Sequence, residues 1–318
     1  MISNSILEAK KIVESEQIIG LPTETVYGLA GNAFSEKAIR SIFQLKKRPL
    51  NNPLIVHIGN IDQLAAITSD FPLKARMLAD KFWPGPLTLL LKKSKRISDL
   101  VTAGQDTVAV RIPNHPKALE LLNQLDFPLV APSANPYQSI SPTSAQHVDR
   151  YFGNELKLIL DGGPSASGLE STIIGFDGDQ VIIYRLGALT TEEIEACIGK
   201  VEIQHKNKKD IKSPGMAKKH YSPKTPVIVT DSVQDIVRQY ETKKIAVVCF
   251  DQFPKMNNLE HSFLYSFQGH MKKAAARLYA LLHELDMQNL DIIILEEFPN
   301  SGLGKTINDR IKRASAAK

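Results

Sequence analysis

Five short segments of the sequence bring hydroxyl, amide, carboxylate and cationic side chains together beside hydrophobic runs. They are residues 22–29 (PTETVYGL), 46–53 (KKRPLNNP), 131–135 (APSAN), 168–172 (GLEST) and 184–187 (YRLG). Arginine and lysine in a proline-bounded loop can hold phosphate oxygens, arginine as a planar fork and lysine as a compact charge. Small residues that follow a strand let backbone amides approach an anion closely. Basic residues gathered around one pocket would suggest an anionic ligand such as a nucleotide, and composition alone does not choose between ATP and RNA. The threonines beside a carboxylate would suit an amino acid.

Each segment also has a purely structural explanation when it is taken alone. Residues 22–29 would pass as a polar turn, and cations after a helix often only complement the helix dipole. Residues 141–143 (SPT) read equally well as the cap of the next helix. His57 ends an apolar strand, where a lone histidine is more often a satisfied core residue than a catalytic one. Taken individually, each segment is a weak signal for a binding site.

Hydrophobic patterning predicts the elements that position these segments. Strand-like runs occur at 54–58, 87–91, 108–112, 129–131, 158–160, 172–176 and 181–184, with helices between them that include one at 116–125. Val108, Val110 and Ile112 alternate with Ala109 and Arg111, which predicts that Arg111 faces away from the apolar side. The mixture of isolated runs and near-hairpins favours a twisted mixed sheet flanked by helices over a purely parallel sheet.

Local signals predict where two of the helices begin. Ser35 is a candidate N-cap for a helix that carries Ile39 and Ile42 and ends before Pro49. Thr190 and Glu193 form a capping-box pattern, which predicts that the last helix of the first half begins there.

The sequence predicts two domains joined by a basic linker. A chain of 318 residues exceeds what a single core usually holds. The patterned region at 1–204 gives way to residues 205–225, which are polar, basic and punctuated by prolines and a glycine. Residues 226–318 then alternate strands and helices in βα order. This order predicts a smaller, Rossmann-like parallel α/β domain at the C-terminal end.

Composition narrows the class of protein. The apolar fraction of 43% is ordinary for a globular protein, and the net charge of +5 is mild. No apolar run approaches the roughly 20 residues that a membrane-spanning helix needs, and no secretory signature is present at the N-terminus. Cys197 and Cys249 are far apart and have no metal spacing. A cytoplasmic protein with free thiols and no protein-bound metal cluster is predicted.

Residues 301–306 (SGLGKT) imitate a phosphate-binding P-loop, because a strand precedes them and a helix follows. The first glycine of that motif would fall at position 299, which is Pro299. A glycine-rich connection between a strand and a helix is therefore favoured over a P-loop.

In their order and spacing, the motifs resemble the YrdC-type threonylcarbamoyl-AMP synthase family. The resemblance is carried by PTETVYGL, by the Lys-x-Arg pattern at 46–48 with NPLIVH after it, and by WPGPLT, SAN and ESTI further along the chain. Residues 213–216 (SPGM) and 220–223 (HYSP) resemble the connecting segment of the two-domain version of that family. The resemblance thus covers nearly the whole chain and implies a YrdC-like fold for the first domain.

The chain departs from the family pattern at three places. Leu186 stands where the family usually has proline, residues 136–138 (PYQ) replace a common Ser-Gly, and Lys47 replaces a small residue. These differences affect loop shape, but none removes a charged contact.

The resemblance implies that ATP and L-threonine bind together in a positively lined cavity. Lys46 and Arg48 would be the catalytic residues and would contact the nucleotide phosphates. The other residues that match nucleotide contacts are Asn52, Thr107, Ser133, Asn135, Ser141 and Arg185, and Tyr221, which would fold over the cavity mouth from the linker. The residues that match L-threonine contacts are Thr25, His57, Ser171 and Arg111, whose guanidinium suits the carboxylate.

The implied reaction combines L-threonine, bicarbonate and ATP into threonylcarbamoyl-AMP and pyrophosphate, for the threonylcarbamoyladenosine modification of ANN-decoding tRNAs. Mg²⁺ would be bound mainly through the ATP phosphates. A downstream threonylcarbamoyl-transferase complex is the implied partner, any direct contact with tRNA would be weak, and no membrane is involved.

A YrdC-like RNA-binding module without catalysis is the alternative function. RNA-binding surfaces usually offer exposed aromatic residues or extended basic stripes. Here the aromatic content is 7%, and the basic residues cluster with threonines and serines. The enzyme is therefore favoured.

Overall fold

The computed structural model describes residues 1–204, 220–240, 242–253 and 262–316. These residues fall into two compact units. The first unit contains residues 1–137 and continues from 141 through the described part that ends at 204, and the second contains residues 138–140 and the described residues from 220 onward. Most of the predicted linker, at 205–219, lies outside the described residues.

The first unit is an α/β structure built on one large sheet. Its strands are β1 (Ile2–Ser3), β2 (Ile19–Leu21), β3 (Gly28–Asn32), β4 (Ile55–His57), β5 (Leu87–Lys92), β6 (Thr107–Arg111), β7 (Leu129–Val130), β8 (Ile159–Leu160), β9 (Thr172–Asp177), β10 (Gln180–Arg185) and β11 (Glu202–Ile203). Its α-helices are α1 (Ile6–Glu14), α2 (Glu36–Lys46), α3 (Leu73–Phe82), α4 (Asp99–Thr102), α5 (Pro116–Asn123), α6 (Ala145–Phe152) and α7 (Thr191–Ile198), and a 3-10 helix spans Ile61–Ala66.

The large sheet is mixed, as the patterning predicts. Its strand order is β1-β8-β2-β3-β7-β4-β6-β5-β9-β10-β11. β4 and β6 pair in parallel, whereas β5 and β6 pair antiparallel. β3 was not predicted, because the pattern of PTETVYGL indicates a loop whereas its last residues begin β3 at Gly28. The two-residue strands β1 and β11 were not predicted either. The predicted helix at 116–125 ends earlier, at Asn123, where Gln124 caps it.

The alternation along β6 separates a large core from the opposite face of the sheet. Val108 and Val110 belong to the main hydrophobic core with Leu89 and Leu91 of β5. Arg111 therefore faces away from that core, and this prediction is confirmed. A sequence that alternates with period two can supply a core on one face and a site on the other.

Capping residues fix the helix boundaries as predicted. The Ser35 hydroxyl accepts a hydrogen bond from the Ala38 amide at the start of α2. Thr190 and Glu193 form a complete capping box at the start of α7. At the other end of α2, Lys47 adopts a left-handed conformation with φ of 51°, and the Arg48 amide donates to the Phe43 carbonyl. This turn fixes where the backbones of Lys46 and Arg48 lie.

The described part of the second unit contains a smaller sheet that is parallel throughout, as predicted. Its strands are β12 (Val227–Thr230), β13 (Ile245–Cys249), β14 (Phe263–Ser266) and β15 (Ile292–Glu296), in the order β12-β15-β13-β14, and its helices are α8 (Val233–Gln239), α9 (Met271–Leu285) and α10 (Leu303–Ala314). β14 was not predicted. It is a four-residue strand at the edge of the sheet, and its Phe263 and Leu264 are exposed.

The SGLGKT segment opens α10 after β15, and two of its backbone amides donate to nearby backbone carbonyls. The Ser301 amide donates to the Pro299 carbonyl, and the Gly304 amide donates to the Ser301 carbonyl. A Cβ on Gly304 would lie 1.9 Å from the Pro299 oxygen, so glycine is needed for this close approach. These contacts fit a strand-to-helix connection, because a P-loop directs its amides toward phosphate.

Among the helices of the described residues, none is long and apolar enough to span a bilayer. Both cysteines are free thiols, with Cys197 half-buried and Cys249 buried. Burial and the nearby charge of Glu296 raise the pKa of the Cys249 thiol to about 12. Since the thiolate is the reactive form, Cys249 is a packing residue.

Candidate active site

A small apolar cluster lies on the sheet face that is turned away from the main core. It consists of Ile55, Leu90, Ala109 and Ile173, with Tyr184 packed against it, and is called the apolar floor below. Each member comes from a different strand of the first unit. The floor is therefore held by the sheet and not by a loop.

Polar residues lie on the same sheet face as the apolar floor, two positions along each strand from its members. Register pairs His57 of β4 with Arg111 of β6, and the ladder that pairs Leu89 with Val110 continues to Thr88 and Arg111. Ser171 stands just before β9, next to Thr172. Because side chains alternate along a strand, residues two positions beyond the apolar floor share its face. The sheet thus positions predicted L-threonine contacts on one surface.

Arg111 is the centre of a buried charge cluster. Its Nε donates to the Gly85 carbonyl at 3.1 Å, and its Nη1 donates to Thr25 Oγ1 at 2.8 Å. Its Nη2 lies 2.5 Å from Glu24 Oε1, as an ion pair that lacks the alignment of a hydrogen bond. Arg111 is 3% exposed and Glu24 is 8% exposed. A guanidinium has more N–H groups than these contacts use, so it can also donate to an anionic ligand.

The buried imidazole of His57 is held in its neutral form. Its Nδ1 lies 3.3 Å from the Ile55 carbonyl. Burial, and secondarily the positive charge of Arg111, lowers the pKa of His57 to about 3. At neutral pH it can therefore act as a neutral hydrogen-bonding group beside a cation.

The pKa of His57 predicts a pH dependence of stability. Because the folded-state pKa lies below the ordinary value of 6.5, stability is complete above that value and falls as pH drops toward about 3. Between pH 7 and pH 5, we expect the native chain to lose about 1–2 kcal/mol more unfolding free energy than His57→Asn. Urea denaturation at both pH values measures this difference, and equal losses in the two proteins would contradict it.

Arg185 and Ser171 form a second contact set on this face. Arg185 Nε donates to the Ser171 carbonyl at 3.1 Å, and Arg185 Nη2 reaches the same oxygen at 2.8 Å and Ser171 Oγ at 3.0 Å. Thr88 Oγ1 lies 2.7 Å from Ser171 Oγ. The serine is consequently fixed from two sides.

Gly187 allows the chain to pass close behind Ser171. A Cβ at this position would lie 2.3 Å from the Thr172 nitrogen and 2.5 Å from the Glu170 oxygen. Both are backbone atoms, so Gly187→Ala should displace residues 170–172 and destabilise the chain by about 1–3 kcal/mol. We expect catalytic activity to fall in the same variant. Gly104→Ala has open space but a φ of 78°, and as the control it should lose stability and retain activity.

A buried carboxylate next to Ser171 holds another predicted residue. Ser141 Oγ donates to Glu170 Oε1 at 2.8 Å, and both residues are buried. Glu170 and Glu24 were not predicted as site residues, although both lie within the quoted motifs. Their positions in the sequence, directly beside Ser171 and Thr25, could have indicated that they belong to the site. A buried carboxylate requires hydrogen-bonding or charged partners.

The Lys46 ammonium joins the 46–53 segment to residues 133–135 (SAN). Lys46 Nζ donates to the carbonyls of Ser133 and Asn135, at 2.5 Å for the latter, and the residue is 1% exposed. Burial, and then the charge of Arg48, lowers the pKa of Lys46 well below its ordinary value. The Tyr137 amide donates to the Lys46 carbonyl at 2.8 Å. Residues 136–138, where the chain differs from the family pattern, therefore contact the end of α2 through Tyr137.

Arg48 is oriented by the loop that follows it. Its Nε donates to the Asn52 carbonyl at 3.1 Å, and its Nη2 donates to Asn52 Oδ1 at 2.6 Å and to the Pro53 carbonyl at 2.8 Å. Arg48 is 7% exposed and Asn52 is 2% exposed. Arg48 and Asn52, each predicted separately as a nucleotide contact, are therefore hydrogen-bonded to each other and buried together.

The PTETVYGL segment connects these groups. The Ala134 amide donates to the Tyr27 carbonyl, and the Tyr27 amide donates to the Pro142 carbonyl. The Ser167 amide donates to the Glu24 carbonyl. The loop that carries Thr25 thus contacts both the segment of Ser133 and the segment before Ser171.

Two predicted nucleotide contacts are not part of this hydrogen-bonded set. Thr107 is half-buried on β6 and shares the face of Ala109 and Arg111. Tyr221 belongs to the second unit, where its ring stacks on Tyr279 with centroids 5.4 Å apart. The nucleotide roles of both residues remain predictions.

Comparison with known proteins identifies the family. The Sua5/YciO/YrdC family model, described as "Telomere recombination", matches residues 11–187. A second model, described as "Threonylcarbamoyl-AMP synthase, C-terminal domain", matches residues 189–316.

Similar proteins cover nearly the whole chain. A threonylcarbamoyl-AMP synthase of Bacillus subtilis is 36% identical, over 98% of this chain and 93% of the relative. One of Pyrococcus abyssi is 37% identical, over 96% of this chain and 93% of the relative. A crystal structure of Pyrococcus abyssi Sua5 complexed with L-threonine aligns with a TM-score of 0.92 and 36% identity, and covers 99% of this chain and 97% of that chain.

These relatives show that the chain, with its two α/β units, is an enzyme of the nucleotidyltransferase type. The chain belongs to the Sua5/YciO/YrdC family.

Proposed function

We propose that this chain is a threonylcarbamoyl-AMP synthase that combines L-threonine, bicarbonate and ATP. The product would serve the threonylcarbamoyladenosine modification of ANN-decoding tRNAs. The observation that carries the proposal is the buried cluster of Arg111, Glu24 and Thr25, which shares a sheet face with the Ser171 and Arg185 pair. An α-amino acid needs a cation for its carboxylate, and acceptors for its ammonium group lie beside that cation here.

The threonine carboxylate is assigned to Arg111. Its guanidinium is already oriented by Gly85 and Thr25, so little side-chain entropy remains to be lost when a ligand binds. His57 is neutral beside Arg111 and adds no charge that would repel the substrate ammonium group. Together with Thr25 and Ser171, these residues form the proposed L-threonine site.

The nucleotide phosphates are assigned to Lys46 and Arg48 as the catalytic cations. The Lys46 ammonium donates to two carbonyls and has a further N–H available for a phosphate oxygen. An incoming anion would also favour the charged form of this buried amine. The other proposed nucleotide contacts are Asn52, Thr107, Ser133, Asn135, Ser141, Arg185 and Tyr221.

The proposed chemistry needs positioning and charge stabilisation more than a protein nucleophile. The ammonium group of threonine first loses a proton to solvent. The resulting amine forms a C–N bond to the bicarbonate carbon, and a C–O bond of bicarbonate breaks so that water leaves and a carbamate remains. A carbamate oxygen then attacks the α-phosphorus, the bond from that phosphorus to the bridging oxygen breaks, and pyrophosphate leaves. Lys46 and Arg48 would offset the charge that develops on the phosphate oxygens.

The residues present fit a magnesium ion that is held mainly by the nucleotide. Within the described ranges, no group of three or more His, Cys, Asp or Glu residues is arranged to hold a metal ion. Mg²⁺ commonly keeps several waters and binds through substrate phosphates with few protein ligands. When bound, the ion would neutralise phosphate charge, and Lys46 and Arg48 would orient the same phosphates from the protein side.

We also propose the domain boundaries that the sequence suggests. A catalytic domain would span residues 1–204, a basic linker would span 205–225, and a C-terminal α/β domain would span 226–318. A threonylcarbamoyl-transferase complex is the proposed recipient of the product.

The test is a pyrophosphate-release assay with ATP, Mg²⁺, bicarbonate and single amino acids. We expect release to depend on L-threonine and bicarbonate together, with mass spectrometry detecting threonylcarbamoyl-AMP. Serine and valine serve as matched amino acids, because each lacks one group of the threonine side chain. Release without any amino acid, or tRNA binding without release, would refute the synthase and favour the RNA-binding alternative.

A further inference from the structure

The hydroxyl of Thr88 lies completely inside the protein and has a single hydrogen-bond partner. Thr88 is 0% exposed, and its Oγ1 lies 2.7 Å from Ser171 Oγ. In the part of the chain that the structure describes, no other group bonds to this hydroxyl. The Thr88 hydroxyl must therefore donate its hydrogen bond to Ser171. If it only accepted a hydrogen bond, its own buried O–H group would have no acceptor, which is energetically costly.

Ser171 receives a second donor from the other side. Arg185 Nη2 lies 3.0 Å from Ser171 Oγ, and a guanidinium can only donate. With Thr88 and Arg185 both donating, the two lone pairs of the serine oxygen are occupied. Among the described residues, none accepts the proton of Ser171.

We propose that Thr88 is a positioning residue that fixes the Ser171 hydroxyl as a pure donor toward a substrate oxygen. This inference rests on the proposed function, because it requires that L-threonine binds at Ser171. A serine whose lone pairs are both taken cannot accept a bond from an ammonium group. Ser171 therefore donates to the carboxylate of L-threonine, the group that Arg111 is also proposed to bind. It disfavours ligands that present a hydrogen-bond donor at the same position.

The arrangement follows from the strand register. β5 lies between β6 and β9, and Thr88 pairs with Ile173 on the β9 side, two positions beyond Ser171. On the other side, the ladder from Leu89 and Val110 leads to Thr88 and Arg111. Thr88 thus occupies the strand position between the two carboxylate-binding residues.

The test compares Thr88→Val, which keeps the shape but removes the hydroxyl, with Thr88→Ser, which retains the hydroxyl, in the full chain. Calorimetry measures the dissociation constant of L-threonine, and the pyrophosphate assay measures KM and kcat. For Thr88→Val, we expect the dissociation constant and KM for L-threonine to rise about tenfold, with kcat nearly unchanged. Thr88→Ser should stay within about twofold of the native protein, because it preserves the donor.

A double-mutant cycle tests whether Thr88 acts through Ser171. Adding Thr88→Val to Ser171→Ala should weaken L-threonine binding no further, because the oriented hydroxyl is already gone. Thr68 is a matched control, as a buried threonine that donates to the Leu64 carbonyl at 3.2 Å. Thr68→Val should leave L-threonine binding unchanged, with melting temperatures recorded for every variant.

The outcomes separate the inference from the proposed function. Multiplicative losses in the double variant, unchanged binding in Thr88→Val, or a loss in Thr88→Ser equal to that in Thr88→Val would overturn the role of Thr88. Binding of L-threonine by the native chain without pyrophosphate release would refute the synthase activity but leave the positioning role supported. Failure of the native chain to bind L-threonine would overturn both.

Discussion

Replacing Arg48 with alanine is expected to reduce threonine-dependent pyrophosphate release by at least about a hundredfold. An arginine fork on a phosphate supplies charge-assisted hydrogen bonds of about 1.5–3 kcal/mol each, and about 1.4 kcal/mol corresponds to a factor of ten in rate. Arg48 is buried and oriented by Asn52 and the Pro53 carbonyl, so its position is already set before a ligand arrives. Loss of an oriented cation is more damaging than loss of a mobile one.

Two further variants test whether the loss of pyrophosphate release is caused by removing the oriented guanidinium of Arg48. Arg48→Lys keeps the charge but not the planar pair of donors, so it should still lose about tenfold or more. Arg40→Ala removes the same kind of cation from α2, where its side chain is 59% exposed and pairs with Glu36. This control should retain nearly full activity, since exposed ion pairs contribute little. Activity of Arg48→Ala within tenfold of the native rate would show that Arg48 is not the phosphate clamp.

The sequence was sufficient for the sheet where alternation was strong. Val108, Val110 and Ile112 against Ala109 and Arg111 predicted both the strand and the direction of the arginine, because one buried face imposes period two. β3 was missed because it begins inside a motif rich in polar and small residues. Gly28 begins that strand, and a Cβ there would lie 3.0 Å from Ala131 Cβ on a neighbouring segment, which favours glycine. Close contacts between residues distant in sequence leave no local pattern.

The candidate site was predictable as a set of residues but not as a set of contacts. The motifs predicted Lys46, Ser133 and Asn135 as site residues. Only the folded chain shows that the Lys46 ammonium group donates to the backbone carbonyls of Ser133 and Asn135. Carbonyl partners carry no residue-type signal, so spacing cannot predict them. Thr88 lies within the WPGPLT motif, but its contact with Ser171 comes from a strand register that joins residues 83 positions apart, which no local pattern predicts.

Glu24 illustrates a different limit. The sequence placed a carboxylate between two threonines but gave no reason to pair it with Arg111, which is far away in the chain. The pair forms because a buried carboxylate and a buried guanidinium each need the other to offset the loss of hydration. This requirement is energetic, and it becomes visible only once burial is known.

Replacing Arg111 with methionine is expected to destabilise the chain and to abolish L-threonine binding. Breaking a buried ion pair by removing one partner costs about 3–5 kcal/mol, because an uncompensated charge remains. For a unit of this size, that loss corresponds to a fall in melting temperature of roughly 6–20 °C. Glu24 would be the stranded charge, since it is 8% exposed and paired with Arg111. Calorimetry of unfolding measures the first effect.

The double variant Arg111→Met with Glu24→Gln separates folding from binding. Without the stranded carboxylate, most of the lost stability should return, as it does when a buried ion pair is replaced as a whole. L-threonine affinity should remain reduced by at least about a hundredfold, because the charge-assisted bonds to its carboxylate are still missing. If the double variant bound L-threonine as the native chain does, Arg111 would be a structural residue and the carboxylate would bind elsewhere. If Arg111→Met alone were as stable as the native chain, the pair with Glu24 would not be the buried contact on which the orientation of this site depends.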